Sequence, residues 1–238
     1  MKTFSILFTL IFTFCLPAIA QIKNPFKKAT SFLKSSNLSE DDVASGLKAA
    51  LEKGIEIASN EASVEDGYFL NPQIKIPWPD DAKDAEARLR QIGLGSEVDK
   101  LILSINRAAE LAAKESKEVF VAAIRSMTVQ DAWGILKGED DAATEYLKRT
   151  TSPELNARFK PIVHNALEQV HATKYYEDLV LAYNKIPFVR KINPDLDQYA
   201  TEMAITGLFT LVAKEEKKIR EDPLARTSDI LKKVFGQS

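Results

Sequence analysis

From residue 97 to residue 151 the chain is one run of helix-forming sequence. It ends in the acidic turn Gly138-Glu139-Asp140-Asp141 and the polar cluster Arg149-Thr150-Thr151. Ser96, with Asp99 three positions on, has the spacing of a residue pair that satisfies the free amides of a helix start. Val98, Ile102, Ile105, Ala109, Ala112, Ser116, Phe120, Ala123 and Met127 then recur at steps of three and four, so they share one helical face. The middle of that face is small, at Ala109, Ala112 and Ser116, which lets another helix approach closely. Lys100, Arg107, Lys114, Glu118 and Arg125 line the opposite strip, yet Leu103, Leu111 and Val121 lie beside them. The pattern predicts a long central helix touched on more than one side.

At 238 residues the chain is long enough for a substantial core. Nine glycines are few for that length and argue against a turn-rich β protein. A net charge of −2 leaves no electrostatic footprint for nucleic acid. Residues 1–20 read as a signal peptide: Lys2 at the start, an apolar stretch from Phe4 to Phe14, Pro17, and Ala18-Ile19-Ala20 as the cleavage site. The apolar stretch is too short for a permanent anchor, so no transmembrane span is expected once the leader is cut after Ala20. Cleavage removes Lys2 and no acid, moving the net charge from −2 to −3. It also removes Cys15, the only cysteine, which excludes disulfides and thiol catalysis in the mature chain. A lipoprotein signal would need a small residue before that cysteine, where Phe14 stands.

Residues 21–37 are basic and polar and read as a loose lead-in, ahead of a single helical domain over residues 38–238. Ser39 with Asp42 opens a helix to about Ala58. The stretch YFLNPQIKIPWP, residues 68–79, cannot be helical because of Pro72, Pro77 and Pro79. Its alternating Ile74, Ile76 and Trp78 predict a short extended strap with one apolar side docked on the bundle. A peptide-recognition role for this proline-rich piece is the competing reading. Further helices are expected from about Asp81 to Ile92, from Thr128 (with Asp131 as its cap partner), from the Gly138 turn to Arg149, and from Ser152-Pro153, kinked at Pro161. Two more run from about Thr173 to Asn184 and from beyond Asn193-Pro194-Asp195 to about Glu221, and a last short one starts at Thr227. The uncharged run Ala204–Ala213 reads as buried, and Gly207 within it as a close helix crossing. The fold class is therefore all-α, a multi-helix bundle around a central helix with one proline-rich strap.

Signatures of catalysis are scarce. Gly93-Leu94-Gly95 precedes a helix, but no strand comes before it and Val98 stands where a third glycine would, so a C-cap and turn are expected. No Gly-x-Ser-x-Gly, Walker-type or calcium-loop pattern occurs, and no cofactor is expected. His164, Glu168 and His171 fall at i, i+4 and i+7 and form a weak candidate metal face; a di-metal carboxylate site would need a third histidine the chain lacks. The better candidate is the acidic turn joined to Arg149, Thr150 and Thr151, with Arg107 and Glu110 if the central helix passes beneath. The same carboxylates also suit a helix start on dipole grounds alone.

The strings FLNPQIKIPWP, INRAAELAA, FVAAIRSMTVQDAWGIL, GEDDAATEYLKRTT and FKPIV, in this order, resemble domain-of-unknown-function family 4197 of exported bacterial proteins. The resemblance implies an exported all-helical domain, residing in the periplasm or cell envelope, and carries over no catalytic residue. It places Asn106, Arg107, Glu110, Asp131, Asp140, Asp141, Thr144, Arg149, Thr150 and Thr151 in the family's motifs as candidate binding residues. The function expected is non-enzymatic binding of a small ligand or an envelope protein through this cluster. Two alternatives stand beside it. One is an enzyme using Glu110, Asp131, Asp140 or Asp141 as acid and base, with or without a metal. The other is a structural envelope protein associating through its C-terminal helices.

Overall fold

The computed structural model describes residues 39–221 apart from 186 and 189. The expected signal peptide, the lead-in and the last short helix from Thr227 lie outside the described residues. Within them are eight α-helices and no strand: α1 (Glu40–Ser63), α2 (Lys83–Gln91, preceded by a 3₁₀ turn Asp80–Ala82), α3 (Gly95–Ala113), α4 (Ser116–Ser126), α5 (Val129–Lys137), α6 (Ala142–Gln169), α7 (Ala172–Asn184) and α8 (Leu196–Glu221). The all-α bundle is as the periodicity predicts.

Two helix starts follow the local chemistry read from sequence. Ser39 accepts from the Asp42 amide while the Asp42 carboxylate accepts from the Ser39 amide, and Thr128 and Asp131 repeat the arrangement on α5. The third does not. Helix α3 begins at Gly95 with Leu94 as its cap residue and no side-chain cap bond. Asp99 instead accepts from Arg90 Nη2 at 2.8 Å, because the turn at Gly93 (φ 89°) brings the end of α2 against it. The glycine-ended turn is thus a helix C-cap, with the Leu94 amide reaching back to the Leu89 carbonyl at 2.9 Å.

The central helix is broken in two. At Lys114 and Glu115 the amides bond back only three residues, at 3.3 and 3.1 Å, and Ser116 Oγ donates to the Ala113 carbonyl at 2.6 Å. Ser116 Oγ also lies 2.9 Å from Ser59 Oγ on α1, so the break sits where two helices touch through small residues. Ala108, Ala109, Ala112 and Ala113 are all fully buried, and α3 packs on α1, α6 and α8. The expected spine is present as two consecutive helices, α3 and α4.

Conversely, the break expected at Ser152-Pro153 is absent: α6 runs without interruption through Pro153 and Pro161. Leu147, Thr151, Leu155, Phe159, Val163 and Leu167 recur every four residues and are buried, forming one stripe across both prolines, which stay exposed on the opposite side. Each proline costs on the order of 3 kcal/mol. Burial of each large side chain returns about 1.5–3 kcal/mol, so the stripe outweighs the two lost hydrogen bonds. Just before Pro153, the hydroxyls of Thr150, Thr151 and Ser152 donate to the carbonyls of Tyr146, Leu147 and Lys148 at 2.9, 2.6 and 2.6 Å.

Helix α8 runs antiparallel to α6, since Thr144 meets Glu216 and His164 meets Asp197, and it also touches α1 and α3. Where it passes the strap it needs Gly207: a Cβ there would sit 2.8 Å from Tyr68 Cε1 and 3.1 Å from Ile74 Cβ. The strap buries its predicted side, with Ile74, Ile76 and Trp78 buried and Gln73, Lys75 and Pro77 exposed, but residues 65–70 and 72–74 form hydrogen-bonded turns and the extended part begins only after them. Trp78 meets Tyr176 edge-on at 5.5 Å and donates to the Ala82 carbonyl at 3.0 Å.

If the stripe is what carries α6 across its prolines, Phe159→Ala should lower unfolding free energy by about 3–5 kcal/mol in urea titrations. Gly207→Ala should cost about 1–3 kcal/mol by overpacking against Tyr68.

Candidate functional site

Three backbone amides of the strap point at α3, where Asn106 and Glu110 accept from them and Arg107 braces Glu110. Asn106, fully buried, accepts from the Ile76 amide at 2.9 Å and donates from Nδ2 to the Ile76 carbonyl at 2.8 Å, reproducing from a side chain the pair of bonds a neighbouring strand would make. Glu110 Oε1 accepts from the amides of Tyr68 and Phe69 at 3.1 and 3.2 Å. Its other oxygen takes Arg107 Nη1 at 2.7 Å, and Arg107 Nη2 reaches Asp66 at 2.6 Å. Gly67, in the turn between, has no room for a Cβ, which would fall 2.4 Å from the Glu61 carbonyl oxygen. Tyr68 completes the fastening by donating to the Ala204 carbonyl of α8 at 2.6 Å, and burial pushes its hydroxyl pKa up, so it stays a donor. Asn106, Arg107 and Glu110 therefore clasp the strap.

The remaining candidates lie elsewhere. Thr144, at the start of α6, is buried and donates through its amide and Oγ1 to Glu216 Oε2 of α8, at 2.8 and 2.7 Å. Glu216 Oε1 accepts from the Ala143 amide at 2.9 Å and from Arg220 Nη2 at 2.6 Å. A buried carboxylate from a distant helix thus caps α6, and Asp141, the residue at its cap position, makes no side-chain cap bond. Asp140 and Asp141 are exposed. Asp131 is held below the ordinary carboxylate range by its hydrogen bonds with Thr128, with the nearby Arg149 adding to the effect. Arg149 itself lies over the Tyr146 ring at 5.6 Å. Thr150 and Thr151 turn back to their own helix. The strap meets α8 at Ala204 and Thr144 meets it at Glu216, roughly 18 Å apart along a helix rising 1.5 Å per residue. The ten candidate residues do not converge on one pocket: the structure distributes them over the clasp, the start of α6, and the α5–α6 neighbourhood. The carboxylates of the enzyme alternative are separated with them, Glu110 engaged in the clasp and Asp131 in a helix cap.

The histidine face is also divided. His171 falls in the turn after α6 with φ 54°, off the helix that carries His164 and Glu168. His164 Nδ1 lies 2.6 Å from Asp197 Oδ2 at the start of α8, and Asp197 Oδ1 accepts from Thr173 Oγ1 at 2.9 Å. The carboxylate of Asp197 raises the His164 pKa above 6.5. Among the described residues no three His, Cys, Asp or Glu side chains are placed to share an ion.

A concavity of about 630 Å³ lies between α6 and α8. Asp141, Thr144, Glu145, Lys148, Ser152 and Asn156 line it from α6 and the turn before it. Helix α8 contributes Glu202, Ile205, Thr206, Phe209, Thr210 and Ala213. Asp141 and Thr144 are the candidates that reach it. The α8 lining was missed because an uncharged run reads as wholly buried, whereas Glu202, Thr206 and Thr210, spaced by four, are exposed. That polar spacing is the signal that could have marked the groove.

An all-helical, strap-braced bundle with an open groove between two antiparallel helices is the class of protein this describes. The family model described as "Protein of unknown function (DUF4197)" matches residues 37–236, and the chain belongs to that family. No match was found among curated proteins or solved structures.

Two outcomes follow for stability. Asn106→Leu removes both bonds to Ile76 and leaves a buried amide and carbonyl unpaired, so a loss of about 2–5 kcal/mol is expected by chemical denaturation, with Trp78 becoming exposed to fluorescence quenchers. For His164 the folded pKa is raised, so its contribution is fully present below about pH 6.5 and is lost as pH rises through the folded value. His164→Gln should abolish that decline, which amounts to no more than about 1 kcal/mol for so exposed a pair, in urea titrations at pH 5.5 and 8.5.

Proposed function

We propose that the chain is an exported helical domain of the periplasm or cell envelope that binds a partner, without catalysis of its own, in the groove between α6 and α8. Export is supported by the leader-like first twenty residues. No described helix is long and apolar enough to cross a membrane. The observation that carries the binding reading is the groove itself. At about 630 Å³ it is within the usual size of a ligand or peptide site, and it pairs an apolar floor with a polar rim. The site moves accordingly: of the residues expected to bind, the clasp members are engaged with the strap, and Asp141 and Thr144 remain at the groove.

The test is site-specific photo-cross-linking in the native host, with a photoreactive amino acid in place of Thr206 or Thr210 and a control at the exposed Lys53 of α1. The expected result is a discrete adduct from both groove positions and none from the control. Adducts from Lys53 alone, or from no position, would overturn the reading.

A further inference from the structure

Resting on that reading of the groove, we propose that its occupant is a cationic amphipathic helical segment of a partner protein. The first argument is hydrogen-bond chemistry. The rim hydroxyls have their protons committed within the chain: Ser152 donates to the Lys148 carbonyl at 2.6 Å, Thr206 to the Glu202 carbonyl at 2.8 Å, and Thr210 to the Thr206 carbonyl at 3.0 Å. What they offer outward is lone pairs. The charged lining residues are Asp141, Glu145 and Glu202 against Lys148 alone, and Lys148 Nζ is 3.1 Å from Glu145. A surface rich in acceptors and negative charge favours an occupant that brings donors and positive charge.

Shape supplies the second argument. Ile205, Phe209 and Ala213 are spaced by four on α8 and form an apolar floor about two turns long. Phe209 is held from behind by Phe120, edge-on at 5.6 Å. Because α6 and α8 are antiparallel, Glu202 stands at one end of the groove and Asp141 and Glu145 at the other. The eleven steps from Glu202 to Ala213 span roughly 16 Å of helix. A small amine cannot meet both acidic ends, whereas a helix of three turns with an apolar face and Lys or Arg at each end meets both and covers the floor.

The experiment uses a labelled peptide of Lys and Leu alone, amphipathic as a helix and about four turns long, and a twin with Glu for every Lys, titrated against the full chain by fluorescence anisotropy. Binding of the Lys peptide is expected, weakening as salt is raised. The double variant Glu145→Lys/Glu202→Lys should weaken it about tenfold or more and should gain affinity for the Glu twin. Both side chains are exposed, and unchanged circular dichroism verifies the fold. Equal binding of the Lys peptide to both proteins, or binding of the Glu twin to the unaltered chain, would overturn the proposal. So would an intramolecular disulfide forming readily in Thr210→Cys/Val234→Cys made on a Cys15→Ser background, since the chain's own C-terminal residues would then hold the groove. If cross-links form from Thr206 while charge reversal has no effect, the cationic occupant fails and the binding reading stands. If no groove cross-link forms, the binding reading itself fails.

Discussion

A buried non-helical segment brings with it amides and carbonyls that water can no longer reach, and in this molecule its own turns meet some of them while α3 meets those of Tyr68, Phe69 and Ile76. The strap after α1 buries Tyr68, Ile74, Ile76 and Trp78, and among the described residues no strand lies beside its backbone. Asn106 and Glu110, one turn apart on α3, supply the missing partners at Ile76, Tyr68 and Phe69. An unpaired buried amide costs about 1–3 kcal/mol, so without these two side chains the apolar gain of docking the strap would be largely cancelled. Gly207 and the Tyr68 hydroxyl then fix α8 against the same segment. The strap is in this sense the wedge around which α1, α3 and α8 are set.

The start of α6 solves the same problem with the same chemistry. Its local sequence is acidic and looks self-sufficient, yet the amides of Ala143 and Thr144 are taken by Glu216, 73 and 72 residues further on. Arg220 balances that carboxylate from one turn away and also donates to the Ile135 carbonyl, which ties the ends of α5, α6 and α8 together. A buried ion pair of this kind contributes little net stability by itself, but removing one partner leaves the other uncompensated. It joins helices remote in sequence, and it leaves Asp140 and Asp141 outside, where they add negative charge beside the groove.

Local chemistry was legible where a residue's partner lies within one turn. The Ser39–Asp42 and Thr128–Asp131 boxes and the turn at Gly93 all form as their spacing implies. The alternation of Ile74, Ile76 and Trp78 correctly named the buried side of the strap. Reading failed where a competing partner came from another helix. Asp99 was drawn to Arg90, the central helix broke at the contact of Ser116 with Ser59, and Pro153 was absorbed because the buried stripe of α6 outweighed one lost bond. The candidate residues share the family's motifs, but motif membership does not fix spatial neighbours: Asn106 clasps the strap and Arg149 lies over Tyr146 on α6.

What the amino-acid sequence determined alone is the helical class, the place of the proline-rich strap and the apolar face of the central helix, because periodicity and proline act over a few residues. Tertiary structure alone decided that Glu216 caps α6, that Asn106 stands in for a missing strand, and that Glu202, Thr206 and Phe209 face Asp141 and Glu145 across a groove. Those outcomes depend on how antiparallel helices register against each other. Register is set by the sum of many packing contacts, which no single stretch of the chain contains.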